Sequence, residues 1–75
     1  MTKTKVEEIY ESVLPEMAKN GIEDTTENRI SFLQGLQDSW AEDRDDSIEK
    51  ALWQVALAGE LLSLETKLML RAMKI

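Results

Sequence analysis

The fold is decided by residues 48–75, which read IEKALWQVALAGELLSLETKLMLRAMKI. Apolar side chains recur at helical spacing through this stretch, which contains one glycine, Gly59, and no proline. We therefore predict a long helix over about residues 47–74 that has too much apolar surface to be stable alone. In the alternative, Ser63 caps a short fourth helix, and the last residues fold back and bury themselves.

The predicted C-terminal helix is apolar on two opposite sides when its residues are placed about 100° apart. One side contains Ile48, Ala51, Leu52, Val55, Ala58, Gly59, Leu62, Thr66, Met69, Leu70 and Met73. The other side contains Trp53, Leu57, Leu61, Leu64, Leu68 and Ile75. Two shorter helices can cover only one side. We expect the second side to form a homodimer interface anchored by Trp53, because tryptophan is enriched among the residues that dominate binding energy.

A first helix is predicted over about residues 4–20. Its apolar residues fall on one stripe that consists of Val6, Ile9, Tyr10, Val13, Leu14 and Met17. Thr4 is the expected N-cap, and Gly21 is expected to adopt the left-handed conformation that ends the helix. Pro15 lies inside this stripe, where proline removes a hydrogen bond and clashes with the preceding turn. We therefore expect a kink or a break between Val13 and Pro15.

A second helix is predicted over about residues 25–42, because Asp24 and Glu27 match a capping box. Its apolar stripe consists of Ile30, Leu33, Leu36 and Trp40. The acidic linker EDRDD follows at residues 42–46, and Asp46 with Glu49 makes another capping-box pattern. Together these elements predict an all-α fold: a single domain over residues 1–75, built as a small up-down bundle of three helices, or four if Ser63 begins another.

The chain is acidic, with a net charge of −6. Residues 1–46 contain 12 acidic and 5 basic side chains, a net of −7, whereas residues 47–75 contain 3 and 4, a net of +1. Direct binding of nucleic acid is disfavoured, because phosphates require a basic face. We expect an acidic surface that faces a partner protein, which can be basic, and that includes Glu7, Glu8, Glu11, Glu42, Asp43 and Asp45.

Catalysis is not expected from this composition. Histidine and cysteine are absent, which removes the commonest general base, the thiolate nucleophile and the best ligands of transition metals. Asp43, Asp45 and Ser47 resemble the start of a calcium loop, but Ile48 occupies the glycine position and Gln54 the final glutamate position. We expect no enzyme activity, no cofactor and no metal.

The sequence contains neither a signal-peptide pattern after Met1 nor an uncharged stretch of 18 apolar residues. We therefore expect a cytoplasmic protein without a membrane partner. Its predicted function is that of a non-catalytic protein–protein interaction or regulatory protein, which forms a homodimer through the C-terminal helix. The alternative is a small acidic inhibitor or DNA mimic, of the type that phages or mobile elements carry, which binds a basic nucleic-acid-binding protein.

Overall fold

The computed structural model of the chain describes residues 3–42 and 47–74. Over these residues the chain forms three helices and no strand, in the order α1 (Lys5–Lys19), α2 (Thr26–Glu42) and α3 (Ile48–Met73). The predicted all-α fold is confirmed. Every helix begins and ends within one residue of the position that the sequence predicted.

Helix α1 begins at Thr4, whose Oγ1 accepts a hydrogen bond from the backbone N–H of Glu7 at 3.1 Å. The helix continues through Pro15 without interruption, so the predicted break is wrong. Val13 and Met17, on either side of the proline, are both buried in the core. Packing on both sides therefore helps the helix to continue into its last turn, although proline removes one hydrogen bond.

The C-terminal end of α1 is a Schellman motif. The Gly21 N–H donates to the carbonyl of Ala18 at 3.1 Å, and the Ile22 N–H donates to the carbonyl of Met17 at 2.9 Å. Gly21 has a φ of +71°, a conformation that side chains with a Cβ rarely adopt. The predicted role of Gly21 is confirmed. Ile22 packs against the core and turns the chain towards α2.

Helix α2 is capped by Thr25, whose Oγ1 accepts from the N–H of Asn28 at 3.1 Å. The prediction that Asp24 caps this helix is wrong, because its carboxylate binds Arg29 in two places, Oδ1 to Nε at 2.5 Å and Oδ2 to Nη2 at 2.8 Å. A two-point bond to a guanidinium is stronger than a single bond to a backbone N–H. Thr25 therefore supplies the cap in place of Asp24.

Helix α3 begins beside Ser47, whose Oγ accepts from the N–H of Lys50 at 3.2 Å, as the predicted start near Ser47 requires. Asp46, which the sequence paired with Glu49 in a capping box, lies outside the described residues. The 26 residues of α3 run through Ser63 without a break, so the described residues include no fourth helix. At about 1.5 Å per residue α3 is roughly 39 Å long, and the longest dimension of the molecule is 44 Å.

The three helices form an up-down-up bundle in which α3 packs against both α1 and α2. Gln54 donates to the Trp40 carbonyl at 3.4 Å and Arg71 donates to Thr26 at 3.2 Å, so α2 and α3 are antiparallel. Among the described residues, the buried core consists of Ile9, Val13, Met17, Leu33, Leu57, Leu61 and Leu64. Trp40 and Trp53 are partly buried at its edge.

Candidate protein-binding surface

The side of α3 that the sequence assigned to a homodimer lies against α1 and α2 instead. Leu57 is fully buried within the single chain, and Leu61 and Leu64 are each 4% exposed. Trp53 and Leu68 are partly buried on the same side. These residues therefore cannot form the contact surface for a second chain without unfolding the first, and the assignment of the two sides is corrected.

Polar groups beside the buried side of α3 bind residues of α1 and α2. The Glu60 carboxylate accepts a hydrogen bond from the phenol of Tyr10 in α1. Farther along α3, Arg71 donates to the Thr26 hydroxyl at 3.2 Å and lies 3.8 Å from the carboxylate of Glu27, both in α2. The opposite side of α3 has no such partners among the hydrogen bonds that join the described helices.

The opposite side of α3 is exposed and apolar, and we call it the α3 outer face. Seven large hydrophobic side chains of the described residues are 51–81% exposed, and all lie in α3. They are Ile48, Leu52, Val55, Leu62, Met69, Leu70 and Met73. Soluble monomers rarely expose contiguous apolar patches of this kind, which usually mark a binding surface. The sequence identified these residues as one side but predicted that α1 and α2 would cover them.

Small residues occupy the rest of the α3 outer face. Ala51, Ala58 and Gly59 are exposed between the large side chains. Thr66 is exposed too, but its hydroxyl donates to the carbonyl of Leu62 in the same helix at 2.8 Å. The one polar group in the middle of the face therefore has a partner, so covering it with an apolar surface leaves no hydroxyl donor unpaired.

A polar cluster joins the three helices on the other side of α3. The Tyr10 phenol donates to Glu60, and the guanidinium of Arg29 lies 4.7 Å from the centroid of the Tyr10 ring. Burial and the hydrogen bond to Glu60 raise the pKa of Tyr10 to about 12. The Arg29 guanidinium holds the pKa of the Asp24 carboxyl below its ordinary value. This cluster links α1 to α3 through Tyr10 and Glu60 and brings Arg29 of α2 against the same ring.

Four of the predicted acidic residues, Glu7, Glu8, Glu11 and Glu42, are exposed in the described structure. Glu7 and Glu11 border a shallow groove beside Tyr10, and Glu11 pairs with Lys3. Glu8 borders a second groove. Glu42 is exposed at the end of α2. Two other members of the predicted acidic surface, Asp43 and Asp45, lie outside the described residues.

The second groove lies where α1 meets the facing ends of α2 and α3. Trp40 and Trp53 form its apolar wall, and Glu8 and Glu49 border it. The Lys5 ammonium lies 5.0 Å from the centroid of the Trp53 ring, a cation–π distance. Nothing in the sequence pointed to this groove, because its residues come from separate parts of the chain.

The described residues contain no group of three or more carboxylates placed to hold a metal ion. Over residues 3–42 and 47–74, no helix has the length and apolar character needed to cross a membrane. Comparisons with protein-family models, with curated proteins and with solved structures found no match. Among the described residues, the large exposed hydrophobic side chains all lie on the α3 outer face.

Proposed function

We propose that this chain is a non-catalytic interaction protein that forms a homodimer through the α3 outer face. A single observation carries the proposal: seven large hydrophobic side chains of one helix are each more than half exposed. Helix α3 is thus apolar on two sides, with one side buried by α1 and α2 and the other open to a second copy. A helix that is apolar all round is normally buried all round.

The size of the α3 outer face fits a stable interface. At about 200 Å² for a fully exposed residue of this size, the seven side chains expose on the order of 900 Å², close to the roughly 800 Å² that each partner contributes to a standard interface. Leu52, the least exposed of them, still has half its surface open. The remaining contact comes from the small residues between them.

The modest core of the chain gives a second reason for association. Chains of this length bury a smaller fraction of their surface than larger domains do, and many of them gain stability from a partner. The described core contains only a few fully buried side chains, with Met17, Leu33 and Leu57 the largest. Covering the α3 outer face would bury a second apolar layer on the same helix.

In such a dimer the acidic side chains stay outside. Helices α1 and α2 pack on the side of α3 that faces away from the proposed interface, so Glu7, Glu8 and Glu42 remain exposed. Two copies would present these acids on two opposite surfaces of the assembly. We propose that a protein with basic side chains binds there, in keeping with the net charge of −6.

The alternative, an inhibitor that imitates DNA, needs dense unpaired negative charge. Three acids of residues 3–42 are instead paired with cations: Glu11 with Lys3, Asp24 with Arg29, and Glu27 with Arg71. These ion pairs reduce the charge available to compete with phosphates, so they favour the dimer as the primary function. Competition with DNA for a basic protein, steeply weakened by salt, would support the inhibitor instead.

Sedimentation equilibrium tests the proposal. The chain at about 100 µM, well above a micromolar Kd, should have twice the mass of the monomer, and dilution should dissociate it. Leu62→Glu places a charge on the α3 outer face and should leave a folded monomer. Gln34→Glu adds the same charge at an exposed position of α2 and should leave the dimer intact. A wild-type chain that stays monomeric at 100 µM would contradict the proposal.

A further inference from the structure

Resting on the proposed homodimer, we propose that two copies of α3 pack as an antiparallel coiled coil, with Gly59 of each copy opposite Leu62 of the other. The spacing of the α3 outer face carries this inference. Starting at Ile48 and ending at Met73, residues on the midline of the face alternate steps of four and three: positions 48, 52, 55, 59, 62, 66, 69 and 73. This is the heptad spacing of a coiled-coil seam, sustained over the length of the helix.

The borders of this seam allow two helices to approach closely. Eight positions flank this seam, one after each of residues 48, 55, 62 and 69 and one before each of residues 52, 59, 66 and 73, and they include Ala51, Ala56, Ala58, Ser63 and Ala72. Coiled coils usually carry long charged side chains at such positions. Here small residues occupy most of them, and the exceptions are Glu49, Glu65 and Leu70. A second helix can therefore lie close against the backbone of α3.

The order of side chains along the seam favours the antiparallel arrangement. With the two-fold axis midway between Gly59 and Leu62, every large residue at the centre meets a small one, and the outer pairs are large with large. The four resulting pairs, each formed between copies, are Ile48 with Met73, Leu52 with Met69, Val55 with Thr66, and Gly59 with Leu62. Valine and threonine have nearly the same shape, and the Thr66 hydroxyl already has its partner within the helix.

The parallel arrangement pairs each residue with its own copy. Gly59 would face Gly59 and leave a gap at the centre of the seam, and neighbouring Leu62 would face Leu62. Gaps of this kind cost stability in proportion to their volume. The antiparallel register fills the space above each glycine with a leucine of the second copy.

Gly59 itself has no function that a single chain explains. Its φ is not positive, and a Cβ added to it would have no heavy atom within 4 Å. Glycine inside a helix is less stable than alanine. Within one chain alanine would therefore be more stable at this position, whereas a leucine from a second helix needs the space that the missing side chain leaves.

Charge also favours this orientation. Acidic residues lie at the beginning of α3, with Glu49 in the first turn and the linker EDRDD before it in the sequence. Basic residues lie near its end, where Lys67 and Lys74 are exposed. An antiparallel pair places the acidic beginning of each helix beside the basic end of the other, and it sets the two helix dipoles in opposition.

Cysteine cross-linking tests the register directly, because the natural chain contains no cysteine. Two full-length variants, Leu52→Cys and Met69→Cys, are mixed in a glutathione redox buffer after sedimentation has established the dimer. The antiparallel register brings these two positions within disulfide reach of each other. It separates position 52 from its own copy by about 25 Å, at 1.5 Å per residue. The mixture should therefore form the mixed disulfide, and either variant alone should stay uncross-linked.

A compensating pair of substitutions checks the central contact without cysteine. Gly59→Leu should weaken the dimer about tenfold or more, because two leucines would compete for one space. The double variant Gly59→Leu, Leu62→Gly keeps one large and one small residue in contact and should recover most of the loss. Circular dichroism must show that both variants keep their helices.

The possible results separate this inference from the proposed function. Disulfides within each variant alone, or a dimer that forms no disulfide at either position, would overturn the antiparallel register and leave the homodimer standing. Failure of the double variant to recover affinity would overturn the Gly59–Leu62 contact. A wild-type chain that is monomeric at about 100 µM would overturn both the register and the proposed function.

Discussion

The two sides of α3 are similarly apolar, yet one is buried in the molecule and the other is exposed. Neighbouring leucines show the contrast: Leu61 is 4% exposed and Leu62 is 66% exposed. Hydrophobicity therefore does not decide which side faces α1 and α2. What differs is the polar residues beside each side. Glu60 and Arg71 have partners in α1 and α2, whereas the outer side is bordered mainly by small residues.

The largest effect that tests this contrast comes from placing the same charge on each side. Leu61→Glu buries a carboxylate without a cation to pair with it, at a cost of several kcal/mol. A chain of 75 residues is stable by roughly 4–11 kcal/mol, so this variant should lose most of its helical circular dichroism. Leu62→Glu should keep the helical signal. Equal behaviour of the two variants would mean that the sides are not distinct.

Alanine substitutions at Leu57 and at Leu52 compare the same two sides of α3 with smaller expected losses of stability. Leu57 is fully buried, so Leu57→Ala should lower the free energy of unfolding by about 2–5 kcal/mol. Leu52→Ala removes the same atoms from the exposed side and should cost less than about 0.5 kcal/mol in dilute, monomeric protein. Urea titration measures both. At concentrations where the chain associates, the cost of Leu52→Ala should increase, because its side chain is then covered.

The phenol of Tyr10 reports on the polar cluster that joins the three helices. Its pKa is about 12 in the folded chain and about 10 when unfolded, so the neutral phenol favours the folded state. This contribution is complete below pH 10 and is lost as the pH rises from 10 through 12. Absorbance of the single tyrosine should therefore show ionisation near pH 12. Titration near pH 10 in folded protein would argue against the cluster.

The variant Tyr10→Phe measures how much the Tyr10 phenol contributes to the free energy of unfolding. The free energy of unfolding of the natural chain should fall more steeply between pH 10 and 12 than that of the variant. At neutral pH the variant should lose about 1–2 kcal/mol, because Glu60 is left without its donor.

The smallest expected effect is the difference in association between alanine substitutions at two glycines. Gly35 in α2 and Gly59 in α3 both lie inside helices, and neither would bring a new Cβ into contact within one chain. Alanine at either position should stabilise the monomer by up to about 1 kcal/mol. Gly35→Ala should leave association unchanged, whereas Gly59→Ala should weaken it. Equal association of the two variants would indicate that Gly59 does not lie in the interface.

The sequence predicted the elements of the fold well and their orientation poorly. Periodicity and caps gave all three helices, and the start at Thr4 and the turn at Gly21 follow from local rules of residue chemistry. The rotation of α3 depends instead on contacts between distant residues, above all Tyr10 with Glu60. A helical wheel records which residues share a side, but it cannot show which side meets another helix.

Two local errors have the same origin. Asp24 matched a capping pattern, but Arg29 offered its carboxylate a better partner, and Thr25 became the cap. Pro15 is unfavourable inside a helix, but the buried residues on both sides of it hold α1 together. In both places a contact that forms only in the folded chain outweighed a local preference. Of the predicted acidic surface, Glu7, Glu8, Glu11 and Glu42 are exposed in the structure.

The exposed apolar side chains of the described residues are confined to one wall of the molecule, the length of α3. A two-fold contact uses the α3 outer face of both copies, so a dimer has no such face left for a third copy. Growth into rings or fibres would need a second apolar contact surface elsewhere on the chain. In the proposed homodimer, placing all of this surface on one helix would limit assembly to a closed pair.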